Sequence, residues 1–313
     1  MPVYWLLRYL ELGSRRGWLI RKGSRMIDFQ FHSPSSLEEA FELLDRYGDD
    51  ARVMAGGTGL VLQMKQRLSQ PGHVVGLKKV PGLTSIQAAT KGDVGPLEVG
   101  AMVTHRTLEN DRMATQRLPL VVSTYKHVAT PRIRSMATIG GGLVHGDPNE
   151  DPPPTLIALG ASVVLTNPSG YREVPVEEFF IDYYETDVQP GEILTSVTIP
   201  QQPPNSGSSY LKFLPRTADD YGTVSVATVV TRGDGNLCAD VKIVLGSVGM
   251  TPIHATEAES ILRGQPLTEG NIASCASAVK DAVDPLEDFR GSAGYKRDMA
   301  EVFTRRAIHQ ALT

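Results

Sequence analysis

The sequence predicts an α+β fold, two α/β subdomains followed by a small sheet-and-helix domain, on the strength of three observations. From Met26 onward, short β-branched runs alternate with stretches whose apolar residues recur at helical spacing. Two glycine clusters, Gly56-Gly57-Thr58-Gly59 and Gly140-Gly141-Gly142, follow or interrupt apolar segments. The turn-rich, uncharged stretch 200–209 lacks apolar periodicity, and paired strands and helices follow it. Residues 1–25 therefore read as an N-terminal extension, 26–200 as the first domain, 201–209 as a linker and 210–313 as the second domain.

The elements follow in order. Ser36-Leu37-Glu38-Glu39 has capping-box spacing, with Leu37, Ala40, Phe41 and Leu44 on one helical face and Gly48 placed to end the helix. Arg52-Val53-Met54-Ala55 reads as a strand entering the first glycine cluster, and 60–67 as the helix leaving it. Val74-Val75, 85–88 and 97–100 read as strands, the last two joined by a Gly/Asp turn at 91–95. A helix is expected over 120–128, then the second glycine cluster, a corner at Asp151-Pro152-Pro153-Pro154, a helix through Leu159 and a strand pair around Asn167-Pro168-Ser169-Gly170. Beyond the linker, 224–230 and 239–248 read as antiparallel strands about the turn Gly233-Asp234-Gly235-Asn236. Ala258, Ile261 and Leu262 mark one helix, and Tyr295, Met299, Val302, Phe303 and Ile308 a final amphipathic one.

At 313 residues and 41% hydrophobic content the chain can bury two or three packed units. Its formal charge of −4 comes from interspersed acids and bases, without a basic stripe, so nucleic acid is not an expected partner. Cys238 and Cys275, with no CxxC pair, complete neither an iron–sulfur cluster nor a four-cysteine zinc site and read as reduced, buried thiols. In the first 25 residues Trp5-Leu6-Leu7 is broken by Arg8, and Arg15, Arg16, Arg21, Lys22 and Arg25 follow, so no signal-peptide core is expected there. Met26 reads as a natural start, or the extension as a short interaction arm, and with no apolar run of spanning length a cytoplasmic location is expected.

Glycine clusters let backbone N–H groups converge on an anion, and two of them could hold the two charges of one pyrophosphate. The first cluster fits neither GxGxxG nor the P-loop, which argues against a Rossmann fingerprint and against ATP or GTP hydrolysis. His145 and Asp147 by themselves fall short of a metal site, and no metal is expected.

Ala55-Gly56-Gly57-Thr58-Gly59-Leu60, together with Thr138-Ile139-Gly140-Gly141-Gly142-Leu143-Val144-His145-Gly146-Asp147-Pro148-Asn149-Glu150-Asp151, resembles the paired FAD motif of the medium subunits of the xanthine dehydrogenase and carbon monoxide dehydrogenase family, the molybdenum hydroxylases. Tyr210-Leu211-Lys212-Phe213 with Asp220-Tyr221, Leu245-Gly246-Ser247-Val248-Gly249, and Arg290-Gly291-Ser292-Ala293 with Tyr295 extend the resemblance over nearly everything from Met26 onward. It implies a FAD-binding fold of the vanillyl-alcohol-oxidase (PCMH) type with a carbon monoxide dehydrogenase flavoprotein-type C-terminal domain. It further implies that Ala55, Gly56, Gly57, Thr58, Gly59 and Leu60 line the pyrophosphate and that Thr138, Gly141 and Gly142 supply a second nest. His145 and Asp147 would lie nearby, Asp151 would accept hydrogen bonds from ribose or adenine, and Val128, Leu194 and Tyr221 would contact the flavin. Each has a structural alternative: Asp151 as a helix N-cap, Val128 and Leu194 as ordinary core, Tyr221 as a satisfied core tyrosine.

Gly59 and Gly142 depart from the family pattern, which commonly has a polar side chain at each, Gly146 replaces a usual alanine, and Leu214-Pro215 falls where a basic residue is expected. The resemblance implies partners too: a small subunit with two [2Fe-2S] clusters and a large molybdopterin subunit, assembled as a dimer of heterotrimers. Electrons would leave to NAD, a quinone, another carrier or oxygen, and no catalytic residue is expected in this chain. The alternatives are a freestanding FAD-dependent oxidase or reductase and a non-enzymatic nucleotide-sensing module.

Overall fold

The computed structural model describes residues 26–89, 95–215, 217 and 220–313. The expectations for the N-terminal extension, and for the turn at 91–95 apart from Gly95, fall outside them.

The first subdomain is a three-stranded parallel sheet with helices between its strands. Strand β1 (Gln30–His32), helix α1 (Leu37–Tyr47), β2 (Ala51–Met54), α2 (Thr58–Gln66) and β3 (His73–Gly76) give the order β1-β3-β2. Ser36 caps α1 by accepting from the Glu39 N–H, and the Glu39 carboxylate reaches back to the Ser35 N–H at 2.7 Å. Ala40 and Phe41, on the face the periodicity assigned inward, pack with Val75, Leu77 and Leu83.

The second subdomain places six short helices between sheet strands: β4 (Ile86–Ala88) and β5 (Leu97–Gly100), then α3 (His105–Asn110), α4 (Arg112–Arg117), α5 (Pro119–Lys126), α6 (Pro131–Arg134), α7 (Ile139–His145) and α8 (Pro152–Ala158). Strands β6 (Ser162–Asn167) and β7 (Gly170–Pro175) follow, with α9 (Val176–Phe179), a hairpin of β8 (Phe180–Asp182) and β9 (Glu185–Thr186), and β10 (Ile193–Ile199). The antiparallel sheet runs β4-β5-β10-β6-β7. The second glycine cluster is itself helical, forming the first turns of α7, because Thr138 caps it and satisfies the Gly141 N–H.

The C-terminal domain is a sheet β11 (Ser206–Phe213), β12 (Val224–Arg232), β13 (Cys238–Gly246) and β14 (Ile253–His254), followed by α10 (Thr256–Leu262), α11 (Glu269–Ala282) and α12 (Ala293–Leu312). Its central strand is sandwiched, and period-two alternation divides it: Val224, Val226 and Val230 join the core under the helices, whereas Ala227 and Val229 join the core of the second subdomain. Burial on both faces is why 224–230 reads as a continuous apolar run.

The linker reading needs correction. Residues 206–209 already belong to β11, pairing with β12 from Ser206 opposite Thr231. Their small side chains are a packing requirement, since a Cβ on Gly207 would sit 1.6 Å from the Ala311 carbonyl oxygen and the buried Ser209 hydroxyl donates to the Ala307 carbonyl at 2.8 Å. Helix α12 thus lies directly on this strand, and a composition that resembles a turn is a close-packed contact. Cys238 and Cys275 are buried free thiols. No helix among the described residues is long and apolar enough to cross a membrane.

Candidate cofactor site

The two glycine segments, distant in sequence, meet. A Cβ on Gly56 would lie 1.9 Å from the Met136 carbonyl oxygen, and one on Gly141 would lie 3.1 Å from the Ala55 Cβ. Gly57, at φ 76°, turns the chain from β2 into α2 and caps that helix without any side-chain hydrogen bond, which leaves the positive end of α2 open to an anion.

The second cluster behaves differently from a nest of free donors. The N–H groups of Ile139 and Gly140 bond to the Val103 and Ala101 carbonyls, and those of Gly141 and Gly142 to the Thr138 hydroxyl and carbonyl. Gly140 and Gly141 serve close approach: a Cβ on Gly140 would meet the Ala101 Cβ at 2.6 Å. What remains available is Thr138, whose hydroxyl accepts from Gly141 and keeps its own proton to donate.

Past α7, a group of acids and aromatic hydroxyls adjoins the cradle. Asp147 is buried and accepts from the Asn149 N–H at 2.9 Å, and the hydroxyls of Tyr184 and Tyr221 lie within reach of its charge. Loss of solvent and the Asp147 charge push the Tyr184 hydroxyl up to about 12 and the Tyr221 hydroxyl far above its usual range. Tyr221 presents an exposed ring with the Arg290 guanidinium 5.7 Å from its centroid, so it is no ordinary core tyrosine. Burial, then Asp147 and Asp151, hold the Glu150 carboxyl well above the carboxylate range. The His145 imidazole, lowered by desolvation, lies edge-on to the Tyr184 ring at 5.3 Å.

Asp151 occupies the N-cap position of α8 but is in helical conformation and makes no side-chain hydrogen bond to the helix, so its carboxylate does not cap it. Its carboxylate instead accepts from the Tyr210 hydroxyl at 2.5 Å and from the Lys212 amine at 2.9 Å. Burial raises its pKa and Lys212 opposes the shift. Sequence reasoning, looking for a base at Leu214-Pro215, passed over Lys212. The available signal was alternation: Tyr210 and Lys212 are two apart on β11 and so share a face.

Lys212 also donates to the His127 carbonyl at 3.3 Å, next to half-buried Val128. Leu194 is buried in the second subdomain core beside the bulge that shifts the β10–β6 register between Leu194 and Ser196. The first loop, Thr138–Gly142, His145, Asp147 and Tyr221 are thus brought into one neighbourhood, and Lys212 joins Asp151 to the His127 carbonyl, one residue before Val128. Among the described residues no group of three or more His, Cys, Asp or Glu side chains could hold a metal ion.

Residues 27–202 match the family described as the FAD binding domain in molybdopterin dehydrogenase. The chain belongs to that family. Residues 209–311 match the CO dehydrogenase flavoprotein C-terminal domain. The carbon monoxide dehydrogenase medium chain of Afipia carboxidovorans is 37% identical, covering 90% of this chain and 96% of its own length. The nicotine 6-hydroxylase medium subunit of Paenarthrobacter nicotinovorans is 33% identical over 90% of this chain and 96% of its own. Among solved structures, carbon monoxide dehydrogenase of Hydrogenophaga pseudoflava superposes with a TM-score of 0.87 at 34% identity, covering 92% of this chain and 98% of the other. Quinoline 2-oxidoreductase of Pseudomonas putida 86 gives 0.85 at 30% identity, with the same coverage of each chain. The fold is therefore the PCMH-type FAD-binding fold with a flavoprotein C-terminal domain, the cofactor is FAD, and the chain is an oxidoreductase subunit of the molybdenum hydroxylase family. The uncapped α2 terminus and the side-chain-free junction at Gly56 and Gly141 suit a diphosphate lying along the backbone.

Proposed function

We propose that this chain is the electron-relay subunit of a molybdenum hydroxylase, taking electrons from [2Fe-2S] clusters on a small partner and passing them to an external acceptor, while a large molybdopterin partner transforms the organic substrate. The observation that carries it is the meeting of the two glycine segments at Ala55, Gly56, Met136 and Gly141, beside an uncapped helix start. FAD supplies the one- and two-electron redox chemistry. Ala55 to Leu60 line its pyrophosphate through the α2 terminus, and the Thr138 hydroxyl donates from the second segment, with Gly141 and Gly142 giving close approach. His145 and Asp147 flank the cradle, Asp151 accepts from the ribose or adenine, and Val128, Leu194 and Tyr221 adjoin the ring. Residues 26–200 carry the cofactor, and 210–313 close over it through Tyr210 and Lys212. The assembly is a cytoplasmic dimer of heterotrimers, with NAD, a quinone, another carrier or oxygen as acceptor.

Anaerobic titration of the purified chain and of the complex that copurifies with it tests this. The isolated yellow chain is expected to bleach with dithionite and to ignore aldehydes, purines and N-heterocycles, one of which bleaches the complex. An isolated chain bleached by an organic substrate would establish the freestanding oxidase instead.

A further inference from the structure

Three consecutive backbone carbonyls, those of His127, Val128 and Ala129, are each held by a cationic side chain. Lys212 donates to His127 O at 3.3 Å, and one terminal nitrogen of Arg134 donates to Val128 O at 2.8 Å and Ala129 O at 3.0 Å. Ala129 has φ 39°, a backbone conformation that a residue with a Cβ adopts only against a steric penalty. Arg134 is buried, and its Nε lies 2.9 Å from a carboxylate oxygen of Glu109, which is also buried and pairs with Arg106. The guanidinium is therefore ion-paired from behind with Glu109 and presents its far end to the strained turn. Two residues after Arg134, the Met136 carbonyl forms the close contact with Gly56, so the same short segment joins this turn to the phosphate cradle.

We propose that Arg134 is a positioning residue for the flavin ring: by binding the Val128 and Ala129 carbonyls it holds their turn in its left-handed form as one wall of the isoalloxazine pocket. The inference rests on the reading of Val128 as a flavin neighbour and adds the group that places it.

The test uses the full-length chain stripped of FAD, with three readouts: FAD affinity by fluorescence, visible-region circular dichroism of the bound flavin, and thermal midpoint. Arg134→Met is expected to weaken FAD binding roughly tenfold and to alter the visible dichroism. In an Ala129→Gly background the same Arg134 change is expected to cost about threefold or less, with the dichroism recovered, because glycine adopts the turn unaided. Arg134→Lys, which keeps charge but not the planar reach, should fall with the methionine variant in dichroism. Unaltered affinity and dichroism in Arg134→Met would overturn the proposal, as would a loss that Ala129→Gly leaves untouched. Gly57→Val separates the two levels: if it too leaves FAD binding intact, the cradle reading fails along with this one, and if it abolishes binding while Arg134→Met does not, only the clamp is lost.

Discussion

Gly59 lies beneath the imidazole of His145: a Cβ at position 59 would stand 3.1 Å from both Cε1 and Nε2 of that ring. The same relationship recurs at the other departure from the family pattern, where a Cβ on Gly142 would stand 3.1 Å from Oε2 of Glu150. In both places a titratable group from elsewhere in the chain occupies the space that a local side chain would need, so the two glycines leave room for His145 and Glu150.

The first contact can be tested directly. Gly59→Ala should push His145 aside and weaken FAD binding by about 1 kcal/mol, roughly fivefold in affinity. Combining it with His145→Ala should recover most of that loss, because the obstructing ring is gone. Fluorescence titration of the FAD-free chain measures both, and equal affinities for wild type and Gly59→Ala would sink the idea.

Gly56 is expected to be far less forgiving, because its neighbour is backbone. A Cβ 1.9 Å from the Met136 carbonyl oxygen cannot be accommodated by rotating a side chain. Gly56→Ala should destabilise by about 3 kcal/mol. Gly270→Ala, where a Cβ meets nothing within 4 Å, serves as the control in the same urea melts.

The Asp151–Lys212 pair is almost wholly buried, with side-chain exposures of 6% and 2%. Removing one partner strands a charge, so Lys212→Met should cost about 3 kcal/mol, whereas the double variant with Asp151→Asn should cost less than the single one. Tyr210→Phe removes one hydrogen bond to a carboxylate and should cost about 2 kcal/mol. Chemical denaturation of the FAD-free chain would read all three, and additive losses would show the pair to be uncoupled.

A pH dependence follows from His254, whose ring nitrogens face Glu259 at 2.7 Å and Glu177 at 2.6 Å and so bridge the C-terminal domain to α9 of the second subdomain. The hydrogen bond to Glu259, and then that to Glu177, outweigh burial and raise its pKa above 6.5. The folded chain therefore holds this proton more tightly than the unfolded one. The stabilisation is complete below about pH 6.5 and disappears as pH rises through the higher folded value. Thermal midpoints of wild type and His254→Gln should converge as pH increases over that window; parallel curves would exclude the bridge as the source.

What the sequence determined by itself was local. Residues 36–48 announced their helix because cap, apolar face and terminating glycine all act within a few residues, and the strand–glycine–helix order at 52–67 placed the first loop for the same reason. The paired motifs were sufficient to name the cofactor family. Tertiary structure decided what those motifs touch. The N–H groups of 139–142 looked like free donors and are bonded within the chain, Ser206–Ser209 looked like a linker and is a strand under α12, and Asp151, which the sequence offered as a cofactor contact or a helix cap, is a buried partner of Lys212. Each depends on a segment remote in sequence, and the periodicity of one segment carries no information about which distant group will arrive to claim its donors, its space or its charge.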